Sequence, residues 1–407
     1  MRNPNEIRLR FDGKWVNFGL GSVSNYRRRK RMRAIDYLQE LISFPSVSSE
    51  SNVSVSDCVE DWLKGFGFDT ERINYVDAAG VTKSNVLAKK GPSKGCGLAW
   101  FGHTDVVPVN SWSFPKSGPW QPWLENGRVY GRGSCDMKGP IACMLSAIAS
   151  LDGSSLAAPL WFAVTADEEI GMPGARTVVE RSQMYRDIVS GQTRSIIGEP
   201  TGLQVVYAHK GGRSVRATSV GRAAHSSTGL GVNANLALIP FLAEVRRLHE
   251  ELETSAAWHD ARFSPPTPTM NLLIRDANTA MNITSAMSQC TLYFRPMPGQ
   301  DADGMVDRIR RLAEASGLDF EVMFAGEPLC SDPDGPFIRE LLKLSGSERA
   351  ETVSYGTDGA VFTELRDIAV WGPGSIAQAH TDDEWISVEQ LERGTELYRQ
   401  AIVRWCG

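Results

Sequence analysis

Four polar groups recur along this chain at nearly constant separation, each at or near the end of a short apolar run. His103 closes LAWFGH, and Asp136 lies 33 residues on in GRVYGRGSCDMKGP. Glu169 comes another 33 along in VTADEEIG, and Glu199 follows 30 beyond that in IIGEPT. A strand, a crossover helix and the next strand together take about thirty residues or more. The repeat therefore predicts βαβ units that deliver all four groups to one edge of one sheet, the carboxyl edge where open α/β sheets place their sites. Strand candidates Asn85–Ala88, Leu98–Gly102, Leu160–Thr165 and Ser195–Gly198 alternate with helical stretches at Pro140–Leu151 and Gly174–Arg186. That alternation is the signature of an α/β layered domain.

The pattern changes near Ala208. SVRATSVG leads to a long helix at Asn233–Leu252, then SPPTPT, a strand QCTLYFRP and a helix at Asp303–Ala315 closed by Gly317. Residues 208–326 suit a small α+β insert. Beyond it the first character returns: a helix at Phe337–Leu344 capped by Gly346, a strand at Ile368–Trp371 and a last helix entered through a capping box, Ser387 with Gln390. The expected fold is a mixed-sheet α/β catalytic domain (32–207 and 327–407) interrupted by the insert, within the range that 407 residues allow.

Residues 1–31 form a polar extension ending in the basic run RRRKRMR, Arg27 to Arg33, and are expected to be a disordered, solvated arm. The following AIDYLQELISF has helical rather than export-signal spacing. A formal charge of −5 removes the global electrostatic case for nucleic acid. No run approaches eighteen apolar residues, so no membrane span is expected. Seven cysteines without a CxxC pair read as reduced thiols, which implies a cytoplasmic protein.

Histidine is scarce, six in all, which makes its placement informative. In extended backbone, residues two apart share a side, so Asp105 can reach the His103 imidazole and fix its tautomer. Glu168 and Glu169, adjacent at a strand end, point to opposite sides: one can ligate while the other faces substrate. His380 follows a strand and a glycine-rich loop in WGPGSIAQAHTDDEWI. Two imidazoles with carboxylates and no thiolate suit Zn²⁺ at a hydrolytic site, with Co²⁺ or Mn²⁺ as substitutes. Two divalent ions balance Asp136, Glu169, Glu199 and one hydroxide, and such a pair generates hydroxide near neutral pH. Glu168 is then left as general base and acid. GxSxG, Walker and complete GxGxxG motifs are absent, and Cys135 reads as a small buried residue rather than a nucleophile. Trp112, Trp120 and Trp123 either line the pocket or pack a loop.

From Met32 to the C-terminus, the strings GHTDVVP, YGRGSCDMKGP, TADEEIGMPGA, IGEPT, AHKGG, GRAAHSS, YGTDGAVF and GPGSIAQAH resemble, in order, the dinuclear zinc aminoacylase and carboxypeptidase family. The family includes acetylornithine deacetylase, succinyl-diaminopimelate desuccinylase and glutamate carboxypeptidase. The resemblance implies that His103 and Glu199 hold one zinc, Glu169 and His380 the other, and Asp136 bridges, with a cis peptide after Asp136. It implies Glu168 as base and Asp105 as orienter of His103. The insert becomes a lid and dimerisation domain, with His225 entering the partner's site. Arg295 would pair with the substrate α-carboxylate, and Asn282 and Gly374 would touch substrate; Thr284 and Ser285 stand where many relatives have a proline. The implied activity is removal of an acyl group, acetyl first, from a small N-acyl amino acid, with arginine biosynthesis as the implied setting. A desuccinylase-like deacylase, a metallo-exopeptidase or dipeptidase, and a non-catalytic binding relative are the alternatives.

Overall fold

The computed structural model describes residues 6–11, 14–19, 32–151, 155–278 and 280–407. Within the extension expected to be disordered, β1 (Glu6–Phe11) pairs antiparallel with β2 (Lys14–Gly19). The alternation in EIRLRF is the period-two pattern that suits a strand. The rest of the extension, the basic run through Arg31 included, lies outside the described residues.

The main sheet is built from β3 (Asp69–Val76), β4 (Thr82–Lys90) and β5 (Leu98–His103), and then, beyond the short strands β6 (Trp123–Glu125) and β7 (Arg128–Tyr130), from β8 (Leu160–Thr165), β9 (Arg194–Ile197) and β10 (Val206–His209). Late in the chain β15 (Leu329–Cys330), β16 (Glu351–Val353) and β17 (Ile368–Val370) join it, in the order β15-β10-β17-β9-β5-β8-β4-β3 with β16 on β10. β5 runs parallel to both β8 and β9, and β9 to β17, while β3, β4 and β15 pair antiparallel. The sheet is therefore mixed, as expected. β6 and β7 form a small separate sheet with β18 (Trp385–Ser387).

LAWFGH and LWFAVT are buried along their whole length, which is why both read as unbroken apolar runs. Successive side chains serve opposite faces. Leu98, Trp100, Leu160, Phe162 and Val164 pack under the helices Ala34–Ile42, Lys138–Ser150 and Val388–Cys406. Ala99, Phe101, Trp161 and Ala163 meet the helices Pro173–Arg181 and Gln183–Ser190.

That last pair of helices was expected as one, Gly174–Arg186. It breaks at Ser182, whose extended backbone (ψ 127°) starts a new helix with its hydroxyl accepting from the Tyr185 amide. Glu71 on β3 anchors the break, taking hydrogen bonds from the Ser182 hydroxyl at 2.6 Å and from the Gln183 and Met184 amides at 2.9 and 3.0 Å.

The insert is an antiparallel sheet of β11 (Gly212–Val220), β12 (Thr269–Asp276), β13 (Met287–Arg295) and β14 (Asp319–Gly326), ordered β12-β13-β11-β14. The helices Ala234–Thr254 and Ala302–Ala315 cover one face, with Leu238, Val245, Leu292 and Ile309 in the shared core. Ala208 and His209 belong to β10, so the main sheet hands over to the insert after residue 209 rather than at 208. β12 and β14 were not anticipated. Apart from half-buried Met270, β12 is exposed along its length, so no buried face imposes an alternation on TMNLLIRD.

Candidate metal centre

β5 ends at His103, 1% exposed beneath the centre. Its Nε2 lies 3.1 Å from Asp136 Oδ1 and 3.5 Å from Glu199 Oε1. The other Asp136 oxygen, Oδ2, lies 3.4 Å from His380 Nε2, which is in turn 3.0 Å from Glu169 Oε2. Asp136 thus stands between the two imidazoles, with Glu199 on one flank and Glu169 on the other. The Asp136–Met137 peptide is cis. His380 sits at φ 63°, a backbone turn that carries its ring back over the cluster.

Ligand-bearing atoms of His103, Asp136 and Glu169 lie within 4.8 Å of one another, and so do those of His103, Glu168 and Glu199. Glu168 is therefore inside the cluster. Among the described residues no lysine or arginine ion-pairs any of these four carboxylates. Burial pushes Glu168 and Glu199 well above the usual carboxylate range, and Glu169 is raised by the same cause. Burial opposes ionisation of Asp136 too, but hydrogen bonds with His103 and His380 outweigh it and hold Asp136 low. The Asp136 and Glu169 carboxylates lift the His380 imidazole to about 10. Two imidazoles and four clustered carboxylates, with no thiolate among them, form a donor set that divalent cations fit; the cations would offset repulsion and desolvation that no lysine or arginine among the described residues relieves.

Asp105 meets the His103 ring through both its backbone and its side chain, and its carboxylate, against burial, helps raise the imidazole. His103 Nδ1 donates to the Asp105 backbone carbonyl at 2.9 Å, while the carboxylate stands 3.6 Å off. A carbonyl only accepts, so this bond alone fixes the tautomer and leaves Nε2 free to ligate. The Asp105 carboxylate also accepts from the amides of Glu168 (3.1 Å) and Glu169 (3.3 Å) and from the Ser48 hydroxyl (2.7 Å). It holds the Glu168–Glu169 turn from below. Asp167, at φ 60°, is fixed on the same turn by Lys83 Nζ at 2.8 Å and the Tyr75 hydroxyl at 2.7 Å.

A cavity of about 480 Å³ opens over the cluster, lined by Asp136, Glu168, Glu169, Glu199 and His380 on one side and by residues of the insert that include Tyr293, Arg295 and Phe324 on the other. Arg295 stacks over the Tyr293 ring at 4.9 Å. His225 and Asn282 do not line it. They sit together on the exposed surface of the insert, joined by a bridge between His225 and Ile283 and by the Ser226 amide donating to the Asn282 carbonyl at 2.9 Å. Gly374 (φ 93°) also lies off the cavity, where an added Cβ would come within 2.7 Å of Cys135 Sγ. Burial raises that thiol far above reactivity, as expected of a structural cysteine. Trp112, Trp120 and Trp123 do not line the cavity either. Trp112 donates to the Ser117 carbonyl and Trp120 lies under Lys138 Nζ, so these two pack their loop.

Two buried acids near the centre escaped the sequence. Asp358, in YGTDGAVF, accepts from Thr165 at 2.5 Å and is pushed up to about 7 by burial. Glu384, in TDDEW, holds the loop that carries Asp136. Three consecutive acids read as a solvated run; only a following strand (β18) hints that the third turns inward.

The sequence pattern of peptidase family M20/M25/M40 matches residues 99–404. An acetylornithine deacetylase from Myxococcus xanthus is 34% identical over 387 residues, covering 91% of this chain and 97% of that one. A solved M20 family metallo-carboxypeptidase from Sulfolobus solfataricus superposes with a TM-score of 0.72 at 20% identity, covering 91% of this chain and 98% of the other. A Bacillus subtilis protein described as a dinuclear metal binding peptidase superposes with a TM-score of 0.63 at 13% identity, over 94% and 99% of the two chains.

Proposed function

The chain belongs to peptidase family M20/M25/M40 and is a hydrolase of amide bonds; from that premise we propose that it is a two-zinc deacylase removing a small acyl group, acetyl first, from an N-acyl amino acid. One observation carries the reading: Asp136 lies between His103 and His380 at 3.1 and 3.4 Å, each imidazole has a further carboxylate of its own, and Glu168 stays unassigned beside them. His103, Asp136 and Glu199 would hold one ion, and Asp136, Glu169 and His380 the other. When bound, the ions would supply an activated water and polarise the acyl carbonyl.

The remaining roles fall to side chains. Glu168, raised by burial, takes the proton of the attacking water and returns it to the leaving nitrogen. Asp105 keeps its turn in place through the two amide bonds. Arg295 offers the substrate α-carboxylate a bidentate partner at the cavity roof. His225, and with it Asn282, would reach the acyl oxygen of a partner's site in a homodimer formed through the lid.

The identity to acetylornithine deacetylases makes N-acetylornithine the first substrate to try and arginine biosynthesis the setting to examine. Cytoplasmic residence is in keeping with seven cysteines that include no CxxC pair. Among the described residues, no helix is long and apolar enough to cross a membrane. The deciding experiment measures product release from N-acetyl, N-succinyl and dipeptide substrates with defined Zn²⁺. N-acetyl substrates should be cleaved fastest, and chelation followed by Zn²⁺ should abolish and restore turnover. Preference for a dipeptide, or indifference to chelator, would overturn the proposal.

A further inference from the structure

We propose that Glu384 is a positioning residue that sets the spacing between Asp136 and His380. The inference rests on the two-metal reading of the centre. Glu384 lies four residues past His380 and is 1% exposed, although Asp382 and Asp383 before it face solvent. Its Oε1 accepts from the amides of Cys135 at 2.7 Å and Asp136 at 2.9 Å. Its Oε2 accepts from the Gly133 amide at 2.8 Å and from Arg132 Nη1 at 3.0 Å. The Glu384 backbone carbonyl adds a bond from the Gly131 amide at 3.1 Å.

Every polar contact of this side chain therefore goes to the loop that presents Asp136, while its backbone belongs to the segment that presents His380. An ionised carboxylate offers roughly four acceptor sites, and here four N–H donors fill them. The Arg132 guanidinium, itself fully buried, balances the charge. The carboxylate approaches Asp136 from the backbone side, so it competes for no ligand position. The separation of 3.4 Å between Asp136 Oδ2 and His380 Nε2 is thus spanned by one short covalent and hydrogen-bonded circuit: His380, the chain to Glu384, and the Asp136 amide. A carboxylate shared by two ions must face both imidazoles at once, so a small rotation of its loop weakens one ion before the other.

The test compares the wild-type protein with Glu384→Gln and Arg132→Lys. Each is stripped of metal and titrated with Co²⁺ and Zn²⁺ against a competing chelator, and the visible Co²⁺ spectrum is recorded below the melting range of all three. In Glu384→Gln, one acceptor oxygen becomes an NH₂ facing N–H donors. One of two metal equivalents should weaken 10–100-fold, the usual scale for partners outside the ligand set. The Co²⁺ spectrum should change, and kcat should fall with KM nearly constant. Arg132→Lys, which keeps the carboxylate and loses one fixed donor, should show a smaller loss in the same direction. If Glu384 only braces the fold, Glu384→Gln will melt earlier yet bind both ions with wild-type affinity and an unchanged spectrum, which overturns the proposal. Should that variant not fold, wild-type affinity in Arg132→Lys overturns it equally. A wild-type protein that takes up no divalent ion would sink the underlying two-metal reading instead.

Discussion

Glu168 and His209 show how burial sets the chemistry of single residues. Glu168 is surrounded by Glu169, Asp136 and Asp358 and resists ionisation because it is desolvated. That is the condition a proton shuttle needs, since its pKa must approach the working pH. Glu168→Gln keeps the shape and removes the proton acceptor. Its kcat should fall about 10²- to 10⁴-fold, the range for losing a general acid–base, while the metal content measured on the dialysed protein stays at two per chain. Loss of metal along with activity would make Glu168 a ligand instead.

His209 is the opposite case, a histidine kept neutral. Its Nδ1 donates to the Lys210 carbonyl at 2.9 Å and its Nε2 accepts from the Thr357 hydroxyl at 3.0 Å. Burial, helped by the Arg295 charge, lowers its pKa to about 4. The unfolded chain takes up this proton below about pH 6.5 and the folded chain does not. Stability from this group is therefore intact above pH 6.5 and is lost as pH falls toward 4. Between pH 7 and 5 the loss should be about 2 kcal/mol. His209→Asn should lower the urea midpoint at pH 7 but flatten its fall toward pH 5, whereas curves that stay parallel would remove His209 from the account.

Among elements, the end of the Val388–Cys406 helix shows what a local signal does and does not fix. Ser387 is the N-cap as the sequence indicated, accepting from the Gln390 amide at 3.1 Å. The reciprocal half of the box is not made; the Gln390 side chain accepts from the Gly374 amide at 3.2 Å. Ser387→Ala should cost about 1 kcal/mol, read as a lower melting temperature with kcat unchanged. The same contrast runs through the molecule. β5, β8 and β9 were legible because strands buried on both faces must be apolar throughout, and His103, Glu169 and Glu199 stand at or just after their ends; Asp136 instead follows β7 of the small separate sheet and precedes the Lys138–Ser150 helix, so its equal spacing does not mark a strand of the main sheet. The break at Ser182 was illegible because Glu71, which fixes it, is more than a hundred residues away. Glu384 was missed for a related reason: most of its partners are backbone amides, which leave no mark in a sequence. β12 hid because exposure removed its alternation, whereas the neighbouring β13 buries every second residue from Ser288 to Phe294.

At the scale of the whole molecule, the insert proposed as a lid presents two surfaces. One carries Tyr293, Arg295 and Phe324 over the cluster. The other carries His225 and Asn282, which share a bridge and face solvent. β12 ends the lid sheet and, among the described residues, pairs only with β13; Leu272, Leu273 and Ile274 along it are 39, 46 and 49% exposed. An apolar edge strand is a template for a second chain, and the proposed homodimer assigns His225 to the partner's site. If His225 serves the partner in this way, His225→Ala and Glu168→Gln homodimers should each be inactive. Mixing them after reversible dissociation should create one site per heterodimer with both groups intact, so up to a quarter of wild-type activity returns in a statistical 1:2:1 mixture. The measurement pairs native mass spectrometry, to confirm exchange, with initial rates on an N-acetyl amino acid. Complete exchange without recovery would place His225 in its own subunit's reaction or in none, and would separate the lid's apolar edge from catalysis.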